Sequence, residues 1–222
     1  MTTIAKFTIT VIISILFVSC TWDTGVRGNG KVTTTERTVT GDFSKIQVGR
    51  GLDVYITQTD NSSITVEADE NLQDLITTDI DNGVLRISAT ENIGSSTSKK
   101  VLVNLENIEL ISSSSGSDVY TTNTIRVNNL ILETSSGADL EVDVVTENLE
   151  CSSSSGSDLK VTGKTINLMA KASSGSDIKA GNLIAQNGNA KASSGSDITL
   201  NVSNKLDSKS SSGGDIKNIG KN

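Results

Sequence analysis

The sequence predicts an all-β fold, a solenoid with about 20 residues per coil in its C-terminal half and a more irregular β N-terminal half. Three observations predict it. The phrase Ser-Ser-Gly-x-Asp-aliphatic recurs six times from Ser114 to Ile216, its glycines Gly116, Gly137, Gly156, Gly175, Gly195 and Gly213 stepping by 21, 19, 19, 20 and 18 residues. Such a near-fixed period means one structural coil per repeat. The copies alternate apolar and polar residues, so the coils are strands and turns rather than helices. Aromatics make up only 3% of the chain and proline is absent, which suits thin stacked coils turned by Gly, Asn, Asp and Ser.

Residues 1–19 read as a secretory signal: Lys6, then an apolar run from Phe7 to Val18 that is too short for a transmembrane helix. Leu16-Phe17-Val18-Ser19-Cys20 resembles a bacterial lipoprotein signal, which implies lipidation at Cys20; Phe17 departs from the usual leucine. Thr21 after the cysteine suggests the outer membrane. Residues 20–32, with Gly25, Gly28 and Gly30, are expected to form a flexible tether, and 33–222 a single domain. Loss of 1–19 removes Lys6 and leaves 18 basic against 26 acidic residues, a net charge of 18 − 26 = −8. An acidic surface excludes electrostatic attachment to nucleic acid or anionic lipid, so membrane contact is expected through the lipid alone.

In the first half, Phe43, Ile46 and Val48 lead to Gly51-Leu52-Asp53-Val54, a looser copy of the phrase. Ile64 to Ala68 alternates as a strand, and residues 70–78 suit one helical turn. Asp81-Asn82-Gly83 signals a hairpin turn between Ile80 and Val84. Val101 to Leu105 is expected to feed the regular coils, which run over about residues 105–219.

Aligned on glycine, the repeats separate into faces. Three residues after it stand Val119, Leu140, Leu159, Ile178, Ile198 and Ile216; five before it stand Ile111, Leu132, Cys151, Ala170, Ala190 and Ser208. These share one parity and should point inward, with Cys151 a small buried filler. The opposite parity holds Asp118, Asp139, Asp158, Asp177, Asp197 and Asp215, which should stack as a ladder about 4.8 Å apart. Glycine supplies positive φ at the corner, and the adjacent Ser and Asp are expected to bond backbone groups the turn leaves unpaired. These twelve Gly and Asp residues are therefore read as structural, with no metal site: calcium needs six to eight oxygens around one ion, and Lys160, Lys179 and Lys217 lie beside the carboxylates.

Taken together, Phe43-x-x-Ile46-x-Val48 before Gly51-Leu52-Asp53-Val54, Glu70-Asn71-Leu72, Asn82-Gly83-x-Leu85-x-Ile87 and the Ser-Gly-x-Asp copies resemble the head GIN domain family, auto-transporter adhesin heads common among Gram-negative lipoproteins. The resemblance covers residues 36–220. It implies a right-handed parallel β-helix and suggests a role in adhesion.

The chain has no histidine, so a Ser-His-Asp triad and Cys/His zinc are both excluded. The Asp residues are spread one per coil rather than clustered, unlike a glycosidase pair. No catalytic residue and no cofactor are expected. The reading is a lipid-anchored outer-membrane binding head for a glycan or protein ligand, with homo-oligomerisation through open solenoid ends. The alternatives are a periplasm-facing scaffold or envelope-stress lipoprotein and, less favoured, a β-helical polysaccharide-active enzyme.

Overall fold

The computed structural model describes residues 25–220, so the signal segment and Cys20 lie outside the described residues. The architecture is a β-solenoid whose turns stack in parallel register. Strands β1 (Val32–Arg37), β2 (Lys45–Val48), β3 (Asp53–Gln58), β4 (Ser63–Asp69), β5 (Ile76–Asp81), β6 (Val84–Ala89) and β7 (Lys99–Leu105) form the first half. The second holds β8 (Leu110–Ser113), β9 (Asp118–Thr121), β10 (Ile125–Arg126), β11 (Asn129–Thr134), β12 (Asp139–Ser154), β13 (Asp158–Ser173), β14 (Asp177–Ala192), β15 (Asp197–Ser210) and β16 (Asp215–Asn218).

Repeat columns are rungs in register. Asp139 pairs with Asp158, Leu140 with Leu159, Leu149 with Leu168 and Cys151 with Ala170. The aliphatic column Val119, Leu140, Leu159, Ile178 and Ile198 is no more than 2% exposed. One apolar core runs the length of the stack, from Phe43 and Leu72 to Leu200 and Val202. Burial of this continuous column is the main stabilising term, because each coil alone is too thin to shield its inner face.

The first half is more regular than its sequence suggests, and its order in space differs from its order in the chain. β2 lies parallel on β8 and β3 on β9, so Ile46 meets Ile111 and Asp53 meets Asp118. The looser phrase at Gly51 is a full turn of the solenoid: Arg50 and Gly51 both have positive φ, at 64° and 68°. β6 and β7 then form another turn on the outer side of β2 and β3. The strand Val101–Leu105 therefore does not lead into the regular coils in space; it lies beyond the first one. The expected hairpin is present, β5 antiparallel to β6 with Asn82 and Gly83 at φ 50° and 76°. The helical turn is shorter than expected, a 3-10 turn over Glu70–Leu72.

Two expectations need correction. The solenoid is not open at both ends. Around the outermost N-terminal turn, β4 runs antiparallel on β7, β1 on β4 and β5 on β6, which covers the parallel edges. Among the described residues the C-terminal end has no such cover: Lys205–Ser210 of β15 and the whole of β16 pair on one side only. The tether, from Gly25 onward, is bonded to the domain. Val26 bridges Ile93, Gly28 N–H donates to Ser95 O at 2.9 Å, and Glu70 N–H donates to Lys31 O at 2.8 Å.

Candidate functional site

The recurring phrase builds the tight corner of each coil. Ser and Gly there take positive φ in succession, as at Ser155 (56°) and Gly156 (69°), and all six copies repeat the pattern. Serine thus shares a strained conformation that the repeat pattern leads one to expect of glycine alone. In four of the six copies the residue after the glycine is a serine whose hydroxyl satisfies the corner; Ala138 and Gly214 stand there in the other two. Ser117, Ser157, Ser176 and Ser196 are no more than 1% exposed, and Ser157 Oγ–H donates to Ser154 O at 2.8 Å. Ser153 and Ser157, one on each side of the corner, place their hydroxyls 2.9 Å apart across the narrow interior.

Asp118, Asp139, Asp158, Asp177, Asp197 and Asp215 stack in register on the outer face, extended by Asp53. They do not bond the turn, contrary to the sequence reading; the neighbouring serine does. Partial burial, then the charge of the neighbouring aspartates, raises the pKa values of Asp118 and Asp139 above the usual carboxylate value. Lysines relieve the ladder further along: Lys179 Nζ lies 2.7 Å from Asp158, a hydrogen bond that raises the lysine's own pKa. Next to the ladder, Tyr55 and Tyr120 stack with ring centroids 5.4 Å apart. Cys151 is fully buried, and burial pushes its thiol pKa far up, so it is an inert core residue. Among the described residues, no group of three or more acidic or cysteine side chains is gathered for a metal ion, and no helix is long and apolar enough to cross a membrane.

The feature that sequence reasoning missed lies at the opposite bend of the coil. Asn129, Asn148, Asn167, Asn187 and Asn204 form an amide ladder on the surface. From Asn148 onward, each Nδ2–H donates to the Oδ1 of the rung before, at 2.9, 2.9, 3.2 and 3.1 Å. The ladder's first four members, Asn129 to Asn187, line a groove of about 740 Å³ that crosses successive rungs. Ile131 and Met169 line it too, 38% and 39% exposed, with Glu150 between them in the same outward column. A second hollow of about 830 Å³ shares Asn129 and Ile131, extends the groove toward Phe43 and Asn107, and includes Arg126.

Asn148, Asn167 and Asn187 each spend one N–H and one lone pair on the ladder, and keep one donor and one acceptor site for a ligand. The groove therefore offers a repeating donor–acceptor pair about every 4.8 Å, beside an aliphatic flank. The sequence signal was available: asparagine stands eight residues before the glycine in four consecutive copies. It was overlooked because polar residues on an outer face usually need no explanation.

A family model described as "Putative auto-transporter adhesin, head GIN domain" matches residues 42–221. No curated protein matches the chain. Among solved structures, the fold is shared with a "putative adhesin" from Bacteroides fragilis, at 21% identity and a TM-score of 0.80, covering 88% of this chain and 100% of that one. A "putative lipid binding protein" from Parabacteroides distasonis is similar at 18% identity and TM-score 0.68, covering 87% and 99%. A "putative adhesin" from Parabacteroides merdae follows at 18% identity and TM-score 0.65, covering 88% and 99%.

Proposed function

Because the chain belongs to the family of auto-transporter adhesin head GIN domains, which accounts for residues 42–221, we propose that it is a cell-envelope binding head. It holds an extended glycan along the asparagine groove. The observation that carries this reading is the amide ladder itself, Asn129 to Asn204, open to solvent and repeated rung by rung. A glycan chain lying along the solenoid axis advances about one ring per rung and presents hydroxyls that both donate and accept. An extended peptide repeats its side-chain pattern only every ~6.6 Å, out of step with rungs ~4.8 Å apart. The aliphatic flank at Ile131 and Met169 suits the apolar faces of sugar rings.

Anchoring belongs to the same proposal: Cys20 carries lipid, the outer membrane holds the protein, and the glycan-binding face is displayed outside. Glycan-array binding by the purified chain tests the groove. Replacing Asn148 and Asn167 with alanine removes two amide contacts, each worth ~1 kcal/mol, and should weaken binding about tenfold or more. Unchanged binding would remove the groove from the account. Protease shaving of intact cells, with a Cys20→Ser control, tests display: full protection until lysis would favour a periplasm-facing scaffold.

A further inference from the structure

The two ends of the solenoid differ, and the C-terminal one is self-complementary. Among the described residues, Lys205–Ser210 of β15 and Asp215–Asn218 of β16 have no strand beyond them. Their outward side chains carry charges of alternating sign: Asp207 and Lys209 before the corner, Asp215 and Lys217 after it, all exposed. In the interior turns such charges pair with the rung before, as Lys160 with Glu141 at 2.7 Å and Lys171 with Glu150 at 3.0 Å. Among the described residues, none of these four forms an ion pair. Within the chain they stack on like charge or on none: Lys209 on Lys191, Asp215 on Asp197 and Lys217 on Thr199.

The corner fixes which positions face each other. Ser153 and Ser157 meet across it, so the residue three before each glycine faces the residue one after it. By alternation, four before corresponds to two after, and six before to four after. A two-fold axis through the last corner, perpendicular to the solenoid, exchanges these positions between two copies. β15 of one copy then runs antiparallel along β16 of the other. Lys209 falls opposite Asp215 of the second copy and Asp207 opposite Lys217, each contact made twice by symmetry. Opposite charges placed directly across a strand pair stabilise it, and the unpaired backbone edges supply the ladder.

We propose that two copies of this chain join end to end through the C-terminal turn, by antiparallel pairing of β15 with β16 and the ion pairs Lys209–Asp215 and Asp207–Lys217. The N-terminal segment, docked through Val26 on Ile93 at the covered end, leaves each copy at the pole away from this contact. If the anchoring reading holds, the dimer therefore suits copies on facing surfaces; the contact itself does not depend on anchoring.

Ser212 lies on the proposed axis, so it meets Ser212 of the second copy at about one strand spacing, ~4.8 Å, within the Cα range of a disulfide. The full chain carrying Ser212→Cys should form a disulfide-linked dimer under mild oxidation, while the parent chain, with Cys20 and buried Cys151, serves as the background. An appreciable parent cross-link would instead report a free, unlipidated Cys20 and leave the excess from Ser212→Cys as the measure of the contact. Adding Lys209→Glu should lower cross-linking about tenfold, and adding Asp215→Lys to that variant should restore it. Both changes relieve like charge within the chain, at Lys191 and Asp197, and matching thermal melts establish that the fold is kept. No cross-link above background, or cross-linking indifferent to the charge reversals, overturns the proposal and leaves these charges as guards against edge pairing.

Discussion

Asp69 shows how a single buried carboxylate secures the start of the domain. Its oxygens accept N–H bonds from Gly30 at 3.1 Å, Thr97 at 3.2 Å and Ser98 at 3.1 Å. Burial pushes its pKa up, but the three backbone donors outweigh this and hold it below the ordinary carboxylate value. Its stabilising contribution is therefore complete above the unfolded carboxylate pKa, about 3.9, and is lost as pH falls through the lower folded value. Asp69→Asn should expose the segment before β1 to limited proteolysis at neutral pH, where the parent resists, and acid should expose it in the parent as well. Gly28 packs against the same carboxylate so closely that an added Cβ would lie 1.8 Å from Oδ2, so Gly28→Ala should free the same segment.

Asp139 has the opposite sign. Its folded pKa is raised, so its ionisation opposes folding above that value, and the cost disappears as pH falls below the unfolded value. Asp139→Asn should raise Tm at neutral pH by about 1–2 °C, as expected for a surface change of ~0.5 kcal/mol. The gain should vanish in acid, and a loss of stability at neutral pH would mean that the carboxylate holds the turn after all.

At the scale of the strand and corner, two glycines with positive φ separate conformational strain from steric contact. A Cβ at Gly156 would meet nothing within 4 Å, whereas one at Gly163 would lie 2.0 Å from Val144 O. Gly156→Ala should therefore cost only the left-handed backbone penalty, ~1–2 kcal/mol. Gly163→Ala should cost clearly more, because the rung beneath must move; denaturant melts of the two variants make the comparison. The corners were legible in sequence because Ser-Ser-Gly-x-Asp repeats six times. Their internal division of labour was not. Which polar residue turns inward depends on chain direction through two left-handed residues, and that direction gave the buried role to Ser157 and left Asp158 outside.

For the whole molecule, stability should be lowest at the uncovered C-terminal turn and highest in the middle of the stack. Each rung is supported only by its neighbours, and a central rung has two. Cys151 sits in such a rung and is fully buried. Its reaction with a thiol reagent should track global unfolding in denaturant, while amide exchange in β16 should be fast in the monomer, at protein concentrations too low for the end-to-end contact. Rapid Cys151 labelling without denaturant would show that the central rungs open separately.

By itself the sequence determined the fold class, the coil length, the inward columns and the corners, because these follow from local alternation repeated at a near-constant period. Leu140 and Leu159 announce the same environment without any knowledge of where they meet. Only the tertiary structure decided that β6 and β7 lie outside β2 and β3, that β1, β4 and β5 cover one end, and that Gly25–Lys31 docks on the domain. These depend on pairings between distant segments, such as Asp53 with Asp118, and are selected by the burial of edges and core as a whole. No local pattern encodes that choice.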